Sequence, residues 1–568
     1  MRVLVSVIVL IATTAWGCTD PVTAPGNRSA DASGGHGHAA TPAARTTLLG
    51  NLGSYHRAIT TSNPEAQQFF DEGLILLYGF NHEESFRSFE RAAALDPKAP
   101  MPHWGMSLAL GTNYNDTATP DRLGRAYSHL THAQERAANG SDVERAFIDA
   151  LAKRYVAKSD DGKQPEREAA YAAAMGEVSK RFPDDLDAAT LYAESKMNLR
   201  PWKLYTFGGD PEPGTEEIVA TLESVMKRNP EHPGANHYHI HAVEASRNPD
   251  RALPSAERLR TLVPGAGHLV HMPAHIWMRT GDYNAAVKTN NVAAALDEKY
   301  VKATGAKGFY PTMYYGHNLQ FESAAAMMAG NLASARAAGV KTAKLVAPMA
   351  GDMAMLQPFA LQEVLALLRF GRFDDVLAQP APPAGRDLQT SLYHYTRGAA
   401  FAAKGQAAEA EKELAALNTA SGRVTKEIMY STVNPAPIVL EVARLDLAAR
   451  IADAKGGGAP AVAAWRRAVA ADDKVGYGEP PDWLFPPREN LGATLMRMGN
   501  AAEAEKVYRA DLQKNRKNPR SLFGLWKSLE RQRKTAEAAK VKAEFDAAWA
   551  GSDTTLSDAE LAPRKTTN

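Results

Sequence analysis

At 568 residues the chain exceeds one ordinary hydrophobic core, so it must be several domains or a repeat array. Lys plus Arg (65) nearly equals Asp plus Glu (64), which excludes an overall electrostatic pull toward nucleic acid or an anionic membrane. One cysteine excludes an intramolecular disulfide, and 45% hydrophobic content with abundant alanine suits a soluble, helix-rich fold.

The chain opens with Met1-Arg2, an apolar run from Val3 to Ala12, and then Ala15-Trp16-Gly17-Cys18. The run is too short to span a bilayer as a mature helix. This start resembles the bacterial lipoprotein signal, although Trp16 is bulkier than the residue usual there. A plain secretory signal with an incidental cysteine is the competing reading. The resemblance implies a signal peptide over 1–17, cleavage before Cys18 and lipidation of its thiol. With Thr19 rather than aspartate next, it also implies an exported protein, anchored in the outer membrane and facing the periplasm. Residues 18–60 are rich in Gly, Ala, Ser, Thr and Pro and read as a flexible tether. Its Gly35-His36-Gly37-His38 stretch suits either a polar linker or a weak metal contact.

From Pro64 onward helical periodicity dominates and strand signals are scarce. The segment 64–97 predicts a helical hairpin. Gly73 sits where two helices pack closely, Phe89 and Ala92 take the second-helix packing positions, and Asp96-Pro97 stops the unit. Residues 205–215 break the pattern as a loop insertion. Ala252 and Pro264 mark a later unit, and Gly281-Asp282-Tyr283 the turn of the next. Further units are expected at 316–349, 355–378, 390–420 and 436–471. A second insertion, 477–488, holds four prolines and is not helix throughout. Beyond it, Leu491-Gly492, Ala504 and Tyr508 repeat the spacing of the first hairpin around a Gly499-Asn500 turn. Each insertion suits either a cover over a binding face or a structural wedge.

These spacings resemble the tetratricopeptide family over most of the chain. The resemblance implies an all-α superhelical solenoid in which each hairpin's apolar face is covered only by its neighbours. Its expected divisions are an array over 61–300 that holds the histidine-rich repeats, a second array over 301–550, and a disordered tail over 551–568.

Six of the thirteen histidines of the repeat body fall in two stretches, Asn236 to Glu244 and His268 to Trp277. His237, His241 and Glu244 are spaced i, i+4, i+7 and share a helical face. His268, His271 and His275, spaced i, i+3, i+7, share another. His237 to His271 is 34 residues and so is His241 to His275, so the two pairs occupy equivalent positions of neighbouring repeats. In the tetratricopeptide family those positions look into the concave groove. His268 falls at the second position of its unit, Glu244 at the twelfth, and His317, counted back from Gly330-Asn331, at the second of the next.

Packed helices lie about 8–10 Å apart, so imidazoles on adjacent helices can converge on one ion. Imidazole is the ligand shared by Zn, Cu and Fe, and Glu244 adds a hard oxygen; the donor set does not choose among the three. Pro273 is tolerable near a helix start, where its missing donor costs nothing, and a helix starting late would loosen His268 and His271. His239 is offset from the shared face and reads as packing. His82 and His103 would join the cavity only if the superhelix curls tightly. His129 and His132 read as an exposed face, His232 as a loop residue and His394 as core.

The chain also resembles a group of bacterial tetratricopeptide lipoproteins. They carry a His-x-x-His-Met-Pro-x-His-Ile run like 268–276 and a Glu-Pro-Pro-x-Trp-x-x-Pro-x-Arg run like 479–488. That implies a shared site without naming its chemistry, with Glu479, Trp483 and Arg488 facing the histidines if the superhelix closes. No phosphate-cradling loop, nucleophile-elbow serine or His-Glu-x-x-His helix occurs, and basic runs such as 514–520 read as connectors, so nucleic acid is not an expected partner. Two functions remain. In one, the histidine face binds a transition metal, where an open coordination position would suit hydrolytic or oxidative chemistry and a closed one storage. In the other, the groove is a scaffold for a peptide or protein partner and the histidines are polar contacts.

Overall fold

The computed structural model describes residues 47–158, 161–558 and 561. The expected signal peptide, Cys18, His36, His38 and the end of the tail lie outside the described residues. Within them the chain folds into twenty-five α-helices with no strand beyond three isolated bridges. No described helix is long and apolar enough to cross a membrane.

The helices pair into antiparallel hairpins, as the spacing predicts. Pro64–Tyr78 and His82–Leu95 form the first, capped by Asn63 and Asn81, whose side chains accept backbone N–H groups of the first turns. Phe89 is fully buried, and its ring fills the space that a side chain at Gly73 or Gly105 would need; a Cβ at either glycine would lie 2.7 Å from it. Tyr508 fills the same role between Gly492 and Gly524 near the other end. Turns at Gly281, Gly330 and Gly499 adopt left-handed backbone where the sequence places them. The four expected units after residue 316 are all hairpins, from Gly316–Ala329 with Leu332–Val346 to Ala436–Ala454 with Gly458–Asp472. Together they form an all-α solenoid of helical hairpins, with one core running from Leu52 to Tyr314, two more large clusters from Ala324 onward and three small ones.

Two segments differ from the expectation. Residues 47–60 are packed rather than tethered freely. Leu52 and Ile59 are buried, and Arg57 lies between Asp185 and Asp187 at 2.8 Å from each, with its guanidinium 4.6 Å from the centre of the Phe147 ring. The composition of the tether is averaged over 43 residues and hides this apolar and basic end. Residues 551–558 likewise begin the expected tail in an ordered way, since Asp553 accepts the N–H groups of Leu332 and Ala333 at a helix start.

The solenoid also closes on itself. The Tyr283 hydroxyl donates to the Arg516 carbonyl at 2.9 Å, the Asn284 amide donates to the Ala550 carbonyl at 3.1 Å, and the 477–488 insertion reaches Glu244 through the Tyr477 hydroxyl at 3.3 Å. This closure buries the histidine face.

Candidate metal centre

The first histidine stretch forms the helix Pro233–Val243, with Pro233 in the first turn and His232 as its cap; the His232 ring accepts the Ala235 N–H at 3.2 Å. The second forms Gly267–His271 followed by Pro273–Thr280, and Met272 between them keeps right-handed helical backbone. The helix therefore starts early enough to hold His268, His271 and His275 on one face. A six-residue π-helical turn, Tyr310–Tyr315, leads into Gly316–Ala329 and sets His317 beside them. Asp297 fixes that entry by accepting from the Tyr310 hydroxyl at 2.9 Å and the Asn318 amide at 2.6 Å.

Six imidazoles meet as a result. Ring centres of His237 and His241 lie 4.9 Å apart, His237 and His268 5.0 Å, His271 and His275 4.7 Å, and His271 and His317 4.8 Å. His237, His241, His268, His271 and His275 are each at most 2% exposed. Phe80 stacks on His241 and His268, Phe321 stacks on His275 with ring centres 5.1 Å apart, and Tyr114 and Trp202 close over His241.

One edge of four of these rings is held by a fixed acceptor. His237 Nδ1 meets the Tyr78 carbonyl at 2.5 Å and His271 Nδ1 meets Asn290 Oδ1 at 2.5 Å. His241 Nδ1 and His275 Nδ1 take the two oxygens of Glu244 at 2.8 and 2.6 Å. The acceptors assign the proton to Nδ1 and leave a lone pair on Nε2. Two of those Nε2 atoms have no partner, and the other two meet each other. The Nε2 atoms of His237 and His241, and both nitrogens of His268, are buried with no hydrogen-bond partner. His271 Nε2 and His275 Nε2 face each other at 2.7 Å, close enough for a hydrogen bond when one carries the proton and for a shared cation when neither does. Each unsatisfied buried polar atom costs about 1–3 kcal/mol, so this many in one place is expensive unless something binds them.

Charge states agree with that need. Burial pushes the imidazoles of His237, His268 and His271 well below their ordinary range and that of His317 down to about 3, so the rings stay neutral, as ligands must be. Burial opposes ionisation of Glu244, but the imidazoles of His241 and His275 outweigh it and hold the carboxyl well below the usual range. Glu479 is driven the other way, well above its usual range, by burial and by the Glu244 charge. The two form a carboxyl–carboxylate pair beside the rings, with Glu479 2.5 Å from His275 Nδ1 and the Tyr477 hydroxyl between them.

The ligand atoms of His237, His241 and His268 lie within 4.8 Å of one another, as do those of His271, His275 and His317, and those of His241, Glu244, His275 and Glu479. The chemistry of the first two groups fits imidazole-preferring transition ions. In the third, the carboxylates occupy the Nδ1 edge that already carries hydrogen bonds.

No family model matches this chain, and no curated protein does. Among solved structures it is similar to yeast Tom70 (12% identity, 85% of this chain and 91% of that one, TM-score 0.29). It is also similar to Naa15/Naa10 bound to HypK-THB (12%, 85% and 89%, 0.22) and to a human IFIT1 dimer with m7Gppp-AAAA (11%, 86% and 91%, 0.29). None of these likenesses bears on the histidine site.

The other singled-out residues divide. Glu479 reaches the histidines through the closed superhelix. Trp483 instead packs against Tyr395 and Phe485, and Arg488 pairs with Asp473 at 2.7 Å, so both serve the insertion as a wedge. His82 stacks near Phe80 but bonds the Phe80 carbonyl, outside the cluster. His103 lies with His129 and His132 on a separate, partly exposed face. His239 packs on Ser255 at 2.9 Å, and His394 is half-buried against Glu413. His232 is a buried helix cap bonded to Tyr55 rather than a loop residue, and Pro233 after it is the signal for that role. Tyr78 and Asn290 have no sequence signature, because a carbonyl and an amide become anchors only through packing.

Proposed function

We propose that this protein binds transition metal through its buried histidine cluster, as a lipid-anchored protein of the bacterial cell envelope. One observation carries the reading: four imidazoles are fixed through Nδ1 by dedicated acceptors, which leaves Nε2 of His237 and His241 buried without a partner and sets Nε2 of His271 and His275 2.7 Å apart. Metal-bound histidines are built this way, with the second nitrogen donating to a carboxylate or carbonyl that sets tautomer and orientation. His237, His241, His268, His271, His275 and His317 are the ligands. Glu244 positions two of them, and Glu479 with Tyr477 supplies a proton-holding group next to the rings. Zn, Cu and Fe all suit the donors. A three-imidazole set leaves a coordination position for water or substrate, the arrangement that supports hydrolytic or oxidative chemistry.

The helical-repeat scaffold offers surfaces for a peptide or protein partner elsewhere. The buried histidines are not among them, so partner binding there would not depend on these residues.

The test is elemental analysis of tag-free protein beside a His271→Ala/His275→Ala variant. The expected result is stoichiometric transition metal in the native protein and a clear loss in the variant. Native protein that carries none, and binds none on reconstitution, would refute the reading.

A further inference from the structure

The repeat register does more than gather six imidazoles, because it generates the same three-imidazole arrangement twice. His237 and His241 belong to one repeat, and His268 is the second residue of the first helix in the next, directly after Gly267. His271 and His275 belong to that next repeat, and His317 is the second residue of the first helix in the repeat after it, directly after Gly316. Each set takes two histidines four apart along one continuous right-handed helical stretch and a third from the start of the next repeat. In each set the ligand atoms lie within 4.8 Å of one another.

The two sets adjoin. Ring centres of His241 and His275 are 5.5 Å apart, and those of His268 and His271 5.7 Å. Glu244 belongs to both, giving Oε1 to His241 and Oε2 to His275. The remaining anchors are separate, the Tyr78 carbonyl for the first set and Asn290 for the second. A single tetrahedral ion takes about four ligands, so six imidazoles exceed the need of one ion and match three each for two.

We infer that the protein holds a dinuclear centre, one ion in His237/His241/His268 and one in His271/His275/His317, with Glu244 positioning a ligand of each. This rests on the metal-binding reading above and adds the number and adjacency of the ions. Adjacent ions with three imidazoles apiece leave open positions that face a common small ligand, which two-metal centres use to clamp both ends of a reacting group.

Copper(II) titration of tag-free, metal-stripped full-length protein tests it, because copper(II) is paramagnetic and reports its neighbours. Native protein is expected to take two equivalents, with an electron paramagnetic resonance signal altered by coupling between the ions. His268→Gln and His317→Gln, each removing one ligand with no anchoring side-chain bond, are each expected to retain one equivalent with the full signal of an isolated ion. Saturation of native protein at one equivalent would overturn the pairing while leaving metal binding intact. Two equivalents with uncoupled signals would also overturn it. Zero equivalents would sink both readings together. If either variant misfolds by circular dichroism, the native titration and spectrum still decide.

Discussion

Glu244 concentrates the chemistry of the site in one side chain. It is 1% exposed, accepts from two imidazoles, and stays ionised against the cost of burial because those rings face it. A glutamine there keeps the shape but has only one acceptor oxygen, so one of the two Nδ1–H groups faces an amide N–H instead of a carboxylate oxygen. Glu244→Gln is therefore expected to weaken metal binding by roughly 10–100-fold, the usual effect of removing an outer-shell partner. Competition with a chromophoric chelator measures it, and His239→Gln, whose ring bonds Ser255 outside the cluster, is expected to bind metal like the native protein. Unchanged affinity in Glu244→Gln would show that the carboxylate does not orient the ligands. At this scale the histidines were legible, since a 34-residue offset between two pairs is a statement about register. Their anchors were not, because the Tyr78 carbonyl comes from a helix far away in sequence and Asn290 from the following helix, and each reaches its ring only through packing.

The elements follow from small residues opposite large ones. Phe89 fits because Gly73 and Gly105 leave its ring room, and the same device recurs at Tyr508 with Gly492 and Gly524. Gly73→Ala places a methyl group 2.7 Å from the Phe89 ring and is expected to destabilise the chain by about 1–3 kcal/mol through overpacking, despite alanine's better helix propensity. Urea denaturation reads this directly; a stabilised variant would mean that the hairpin relaxes freely. The hairpins were legible from periodicity, turn glycines and these pairs. The π-helical entry to His317 was not, because Pro311 in Tyr310–Tyr315 reads only as a helix start, and the wider turn is held by Asp297 bonding Tyr310 and Asn318.

On the scale of the whole molecule, closure turns a groove into an interior. The 477–488 insertion brings Tyr477 and Glu479 to Glu244, while residues 47–60 lie across the body as a strap held by Arg57. Arg57 is the counter-ion for Asp185 and Asp187, and all three are largely buried. Arg57→Met would leave two carboxylates without their cation, and the expected loss is about 3–5 kcal/mol, as when one partner of a buried ion pair is removed. A loss below about 1 kcal/mol in urea denaturation would make the strap a surface decoration. Composition could not reveal the strap, since its apolar and basic residues are averaged into the 43-residue polar stretch that it ends.

Anomalous X-ray scattering from crystals of the metal-loaded protein tests the central claim most directly. Strong peaks are expected about 2.0–2.1 Å from the Nε2 atoms of His237, His241, His271 and His275. Peaks confined to the surface face of His103, His129 and His132, or no peak at all, would contradict it.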